Sequence, residues 1–413
     1  MMAMQVDGEF DNDVLIETAP VSQTVPEGTS IDAPGIVREL KRHPAQLPPV
    51  QDNAGFDLQV RNVVPEERIA ITVAACIVCG CGHARPTFRI EGMQQRVVTC
   101  TECGLASMHP RPSVRQIESF YPPDYYGTSG EKFEPLVEAM VKLVGARHAQ
   151  SLIRGLPRGA RVLDVGCGRG VLLGALADKG CEAHGFEISP TAAEGADSRA
   201  SIRIASDLAQ ADYPTDYFDE VILWHVLEHL PNPREVLTEI RRILRPGGRL
   251  AVSVPNLSSV QARWAGPAWF HLDLPRHLYH FPLSCLKRLL DECGFDCGEK
   301  HHFSLRQNPF GWVQSFLNRN AASPRNGLYR MLKRSAQDKQ GLFTRSQRLG
   351  MRAAYWLGMP IAIVASLFAA LLGRGASVCV MANSRSGENA RERCHAADVL
   401  ETFAESHPEC LPH

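Results

Sequence analysis

The stretch RVLDVGCGRGVLL, residues 161–173, constrains the fold more than any other part of the chain. Val162, Leu163 and Val165 make an apolar run of the kind found in strands buried on both faces, and Val171, Leu172, Leu173, Ala175 and Leu176 predict an amphipathic helix. Gly166, Gly168 and Gly170 stand on the turn between them. Glycine is needed where backbone adopts a positive φ or lies directly against a ligand, and the helix that follows offers unpaired N–H groups. A strand-to-helix turn of this kind predicts an α/β fold, with a small-molecule site outside the carboxyl edge of a parallel sheet.

The spacing narrows the ligand. A dinucleotide turn, G-x-G-x-x-G, would want glycine at 171, where the chain has Val171. Here the spacing is G-x-G-x-G, and Asp164 precedes it. A carboxylate there repels a diphosphate and attracts a sulfonium or an α-amino group. The stretch resembles motif I of the class I S-adenosylmethionine-dependent methyltransferases. The resemblance extends over about residues 135–300. CEAHGFEIS gives a second strand ending in Glu187, suited to ribose hydroxyls, and IRIASDLAQ places Asp207 after a third strand, where the family binds the adenine edge. YFDEVILWHVLEHL and LRPGGRLAVSVPN supply the fourth and fifth strands. The resemblance implies a doubly wound, Rossmann-like sheet of seven strands and a cofactor set of Asp164, Gly166, Cys167, Gly168, Gly170, Glu187, Ile188, Asp207, Leu208, Trp224 and His225.

Upstream, Cys76-x2-Cys79 and Cys100-x2-Cys103 form two knuckles that predict a zinc ribbon with tetrahedral thiolate coordination. TFRIE and QRVVTC are its candidate strands. Cys81 and His83 are competing ligands, crowded against Cys79. LASMHPRPSVRQIESFYPPDYY resembles the segment joining such a ribbon to the catalytic domain in many bacterial methyltransferases, several acting on sugars, glycans or small metabolites. A closed site of this type is structural, so the ribbon is expected to shape the substrate side.

Methyl transfer to a hydroxyl needs alignment and a base. WHVLEHLPNP offers His225, Glu228 and His229, with the two histidines one turn apart if the segment is helical. It resembles the E-V-L-E-H segment of the ubiquinone-biosynthesis O-methyltransferases, in which acids and histidine can hold a divalent ion; His225 replaces the first acid. Two readings stay open. Either Trp224 and His225 line the cofactor pocket while Glu228 and His229 brace the next element, or the group acts as base or metal site. WFHLDLPRHLYHF supplies a second cluster, His271, Asp273, Arg276, His277 and His280, whose D-x-P-R-H arrangement resembles the same bacterial group. His225, His229, His271 and His277 are the catalytic candidates; the alternative for the last two is a polar loop in which Asp273 and Arg276 fix its own fold.

AAYWLGMPIAIVASLFAALLG, residues 353–373, carries no charge and approaches the roughly 20 residues that cross a bilayer. It falls between the candidate sixth and seventh strands, which are neighbours in this fold, so one crossing would separate them. The segment is therefore expected either as a monotopic anchor, with the basic PRNGLYRMLKRSAQDKQ and RSQRLGMR before it, or as a helix buried in the domain or a homodimer interface.

The 413 residues allow two or three domains. The expected order is a disordered segment over 1–65, ribbon and connector over 70–125, catalytic domain over 130–305, helical insertion over 306–374, last strand over 375–385 and a tail over 386–413. Thirteen cysteines and no secretory signal predict a reducing cytoplasm, with contact at the inner face of the membrane through 353–373. A net charge of −1 gives no global field for nucleic acid, which leaves Arg85, Arg89 and Arg96 as the ribbon's only phosphate candidates in an RNA substrate reading. The resemblance implies S-adenosylmethionine and structural zinc as cofactors. It implies, as acceptor, a hydroxyl of a glycan, glycolipid or lipid-linked intermediate, with a quinone-type small molecule as first alternative.

Overall fold

A computed structural model describes residues 59–121, 135–194, 196–320, 323–333 and 343–385. Residues 1–58, most of the connector's end and 386–413 lie outside the described residues, and with them most of the expected N-terminal segment and the whole tail.

The strands fall in two sheets. The N-terminal sheet holds β1 (Val60–Asn62), β2 (Ile71–Thr72), β3 (His83–Ile90), β4 (Arg96–Cys100) and β5 (Ala106–His109), all paired antiparallel. The larger one holds β6 (Arg161–Val165), β7 (Glu182–Glu187), β8 (Ser201–Ile204), β9 (Phe218–Trp224) and β10 (Leu244–Pro255). A two-residue β11 (Tyr279–His280) returns to the first sheet, and β12 (Phe295–His301) and β13 (Ser377–Ser384) complete the second. The larger sheet has seven strands in the order β12-β13-β10-β9-β6-β7-β8. The five strands from β10 to the edge strand β8 are parallel, and β13 runs antiparallel between β10 and β12. This is the doubly wound sheet expected from the sequence.

Apolar runs explain the central strands. Leu163, Val221, Ile222, Leu223, Leu250, Val252, Val378 and Val380 are all fully buried. Burial contributes about 1.5–3 kcal/mol for each such side chain. Helices Val171–Asp178, Pro233–Ile243 and Leu283–Glu292 present Leu173 and Leu176, Leu237 and Ile240, and Leu286 and Leu289 to that core.

Two sequence expectations change. Val60–Asn62 belongs to the N-terminal sheet, Val60 opposite Ile90, because Val60 and Val63 bury while Arg61 and Asn62 face out; order therefore begins before residue 65. The histidine-bearing loop after β10 also joins that sheet, since β11 pairs with β5, Tyr279 opposite Ser107. Among the described residues, three helices stand between β12 and β13: Asn308–Arg319, Gly327–Leu332 and Arg345–Leu371. The first packs over the loop that follows β10; the third, long and apolar, packs on the first.

Candidate active site

The three glycines after β6 all have positive φ, at 73°, 49° and 68° for Gly166, Gly168 and Gly170. A Cβ on Gly166 would lie 2.7 Å from Val226, and one on Gly170 the same distance from Ala196. Gly168 meets nothing within 4 Å, so the middle of the turn faces open space. Two glycines are thus fixed by packing as well as by φ, and the third leaves room.

Asp164 is buried at the end of β6. Burial, with the charge of Glu187 second, pushes its carboxyl up to about 8. Glu187, at the end of β7, accepts N–H bonds from Gly168 at 2.9 Å on one oxygen and from Ile188 and Ser189 at 2.9 and 3.1 Å on the other. It ties the glycine turn to the second strand, and its remaining lone pairs leave capacity for hydroxyl donors. Ile188 beside it is 60% exposed, an apolar platform next to an acid. Asp207 follows β8 and caps its own turn through Gln210 N at 3.0 Å. Two of the expected residues turn away from this opening. The Cys167 thiol is buried against Gly185, where burial raises it, and Leu208 belongs to the core, so any part that Cys167 takes falls to its backbone.

At the end of β9, His225 holds a φ of 55°, a left-handed value rare for a side-chain-bearing residue and often found where function maintains strain. Its Nδ1 meets Glu228 Oε1 at 3.1 Å and its Nε2 lies 3.5 Å from Ser377 Oγ on β13. The segment is not α-helical; Leu227–His229 is a single 3-10 turn, which turns Glu228 back toward His225. Burial would raise the Glu228 carboxyl, but the His225 bond and the nearby His277 and His229 hold it down at about 2. A buried carboxylate thus braces an imidazole whose other nitrogen points away from it, the arrangement of a positioned base. His148, from the helix Pro135–Leu152, stacks on Trp224 with ring centroids 3.5 Å apart.

His229, His271 and His277 form a buried network. His229 Nδ1 lies 3.1 Å from Arg276 O and 2.9 Å from Tyr121 Oη, and His277 Nδ1 lies 2.9 Å from His271 O. Burial lowers His271 and His277 to about 3, so both are neutral at ordinary pH. The helix Asn308–Arg319 roofs His271, with Gly311 so close that a Cβ would come within 2.6 Å of its Nε2. Asp273 pairs with Arg276 and is lowered by it against the effect of burial. The structure therefore gathers His229, His271 and His277 beneath the site, and keeps only His225 at the glycine turn. Glu228, His229 and His277 each bring one ligand atom within 4.8 Å of the others, a carboxylate and two imidazoles suited to a transition ion. His225, which replaces the first acid of the ubiquinone-type segment, stands outside that group.

In the ribbon, Cys76, Cys79, Cys100 and Cys103 bring their sulfurs within 4.8 Å of one another. Cys76 to Cys103 and Cys79 to Cys100 are both 3.5 Å, near the spacing of about 3.8 Å that Zn–S bonds of about 2.3 Å impose on a tetrahedron. Each knuckle closes on a glycine, Gly80 N to Cys76 O and Gly104 N to Cys100 O, both glycines with positive φ. The donor set fits zinc. The Cys81 sulfur turns instead to His83 N at 3.4 Å and Thr101 Oγ1 at 3.6 Å. Arg234 donates to the carbonyls of Ile77 and Val78, and Cys285 Sγ to Cys103 O at 3.0 Å, so the knuckles rest on the catalytic domain. Arg89 is ion-paired with Glu67, which removes one of the ribbon's three candidate phosphate contacts.

Ser377, His148 and Tyr121 escape a reading from sequence. Ser377 reaches the site across an insertion, His148 lies in a helix before the glycine turn, and Tyr121 belongs to the connector. The only signal was the aromatic run around Tyr121.

Residues 141–300 match the family described as a methyltransferase domain. A ubiquinone biosynthesis O-methyltransferase of Xanthomonas oryzae pv. oryzae is 33% identical over 132 residues, covering 30% of this chain and 55% of that protein. The chain thus spans about half the length of that relative. Methyltransferase GfsG of Streptomyces halstedii is 35% identical over 200 residues, covering 45% of this chain and 69% of that one. Among solved structures, an S-adenosylmethionine-dependent methyltransferase from Archaeoglobus fulgidus aligns with a TM-score of 0.37 and 18% identity, covering 60% of this chain and 94% of that one.

Proposed function

Since the chain belongs to the class I S-adenosylmethionine-dependent methyltransferases, we propose that it moves a methyl group from that cofactor to a hydroxyl oxygen of a glycan, glycolipid or lipid-linked intermediate. The observation that carries this reading is the His225–Glu228 pair standing beside the glycine turn, with Gly166 packed on the residue between them, Val226. When bound, the cofactor supplies a methyl group made electrophilic by its sulfonium. Asp164 would hold the cationic part, Glu187 the ribose hydroxyls and Ile188 one face of the adenine, with Asp207 at its edge.

His225 would take the acceptor's proton on Nε2. Glu228 would keep its Nδ1 protonated and stabilise the imidazolium that results. The buried histidines then serve as positioning residues, holding Glu228 and the loop above it. Zinc would be structural, since four thiolates leave no open position. A cytoplasmic setting fits the described cysteines, none of which forms a disulfide.

A second reading, a quinone-type phenol as acceptor, is favoured by the name of the Xanthomonas relative. Transfer of radiolabelled methyl into fractionated cell extract tests both, with Asp164→Ala as control. Label in lipid or polysaccharide supports the first reading and label in small phenolic compounds the second. Label in RNA, or no transfer at all, overturns both.

A further inference from the structure

The sheet and the site leave the outer face of the helix Arg345–Leu371 unaccounted for. Its inner face buries Met351 near the start and small residues after it. Gly358 would bring a Cβ within 3.3 Å of Val313, and Ala362, Ser366 and Ala369 are buried. The bulky residues point outward instead: Leu349, Trp356, Leu357, Ile361, Phe368 and Leu371 are 64–86% exposed. A surface helix of a globular protein does the reverse, turning large apolar side chains inward and polar ones to water. At about 1.5 Å per residue, the exposed apolar residues from Leu349 to Leu371 extend over about 33 Å of the helix. A continuous exposed face of that kind marks an interaction surface.

What covers it follows from charge and topology. The helix holds Arg345, Arg348 and Arg352 in its first third, all exposed, and no Asp or Glu. Tyr355 and Trp356 come next, and aliphatic residues and Phe368 follow. Exposed arginines and an exposed indole beside a bulky apolar face suit a helix lying at the interface, with the apolar side chains in the acyl boundary and the cations at the headgroups. A second copy of the same face has no acid to offer these arginines, whereas an anionic bilayer does. Crossing is excluded because β12 and β13, on either side of the insertion, pair in one sheet, Cys297 opposite Ala382.

We propose that this face is a monotopic docking surface for an anionic lipid bilayer, with the helix lying in the plane of the interface. Its C-terminal end is fastened to the carboxyl edge of the sheet: Arg374 O accepts from Val260 N at 3.2 Å and Ala376 O from Asn256 N at 2.8 Å, one residue before Ser377. Docking therefore sets the acceptor end of the site against the membrane. That last statement rests on the methyl-transfer reading; the docking itself does not.

Flotation of the full chain with vesicles of phosphatidylglycerol and phosphatidylethanolamine, against phosphatidylcholine alone and without cofactor, tests it. The protein floats with the anionic vesicles, and Leu357→Gln/Ile361→Gln/Phe368→Gln lowers the bound fraction at least tenfold with an unchanged unfolding temperature. Arg345→Gln/Arg348→Gln/Arg352→Gln lowers it severalfold and removes its salt dependence. Cofactor binding by the apolar variant, measured separately, stays intact and keeps failure of docking distinct from failure of the site. The proposal is overturned if wild type stays behind with both vesicle types, or if it runs as a dimer that the apolar substitutions convert to monomer without vesicle binding.

Discussion

The two ends of the proposed site are assembled in opposite ways. The cofactor end takes Asp164, the three glycines, Glu187, Ile188 and Asp207 from a single run of chain and shapes it chiefly by backbone conformation. The acceptor end takes His225 and Glu228 from the segment after β9, a histidine network from the loop after β10, a roof from the helix Asn308–Arg319 and Ser377 from β13. A local motif can be recognised in a sequence because its parts keep fixed spacing. A site made by long-range packing has no such spacing to recognise.

If the two ends are separable, damage to one should spare the other. Loss of the zinc proposed for the ribbon should be the largest disturbance, since structural zinc contributes on the order of 10 kcal/mol to small metal-dependent folds. Chelation, or Cys100→Ser, should abolish transfer and lower the unfolding temperature, while calorimetry at low temperature still finds cofactor binding. Loss of both together would show that the ribbon supports the whole sheet. His225→Gln should reduce the transfer rate about 10²–10⁴-fold, the range of a general base, with cofactor affinity within a factor of two. Glu228→Gln should follow it in direction and shift the pH–rate profile, a change that a purely structural role would not produce.

Asp164→Ala is the converse test. It should weaken cofactor binding by about 30- to 100-fold, equal to about 2–3 kcal/mol for a lost charged contact, and leave vesicle flotation unaltered. An effect of comparable size lies in pH. With its carboxyl raised to about 8 by burial and Glu187, Asp164 is protonated in the free protein at pH 6, and a cationic ligand requires it ionised. Affinity should therefore rise by up to about tenfold per unit as pH increases, and level off above about 8. Asp164→Asn should bind weakly and remove this dependence; a steeper rise in the variant than in wild type would show that another group carries it.

This contrast also explains what the sequence disclosed. The strand and helix around the glycine turn, the turn itself and the four cysteines were legible because periodicity, φ requirements and ligand spacing are local properties; the seven-stranded sheet followed from the family resemblance. The orientation of Cys167 and Leu208 was not, since both side chains pack away from the turn that their positions define. His271 and His277 looked like exposed loop histidines near a catalytic edge. The cover over His271 comes from the helix of Gly311, a residue of the insertion, and no spacing within WFHLDLPRHLYHF reports on it. His225 was legible as a candidate, but its pairing with Glu228 depends on a single 3-10 turn where a helical reading would have paired it with His229.

The two-residue strand β11 has a consequence for how such a chain can be divided. Tyr279 and His280 supply the last rung of the ribbon's sheet, and Arg234 clasps the first zinc knuckle from a different helix. A cut between ribbon and catalytic domain would expose an unpaired edge on each fragment, each the complement of the other. The fragments, expressed separately, would be expected to reassociate in trans, and a ribbon borrowed from another chain would fit only if its last strand and its knuckle carbonyls matched that edge. Ribbon and loop thus form one packing unit, although the sequence writes them more than a hundred residues apart.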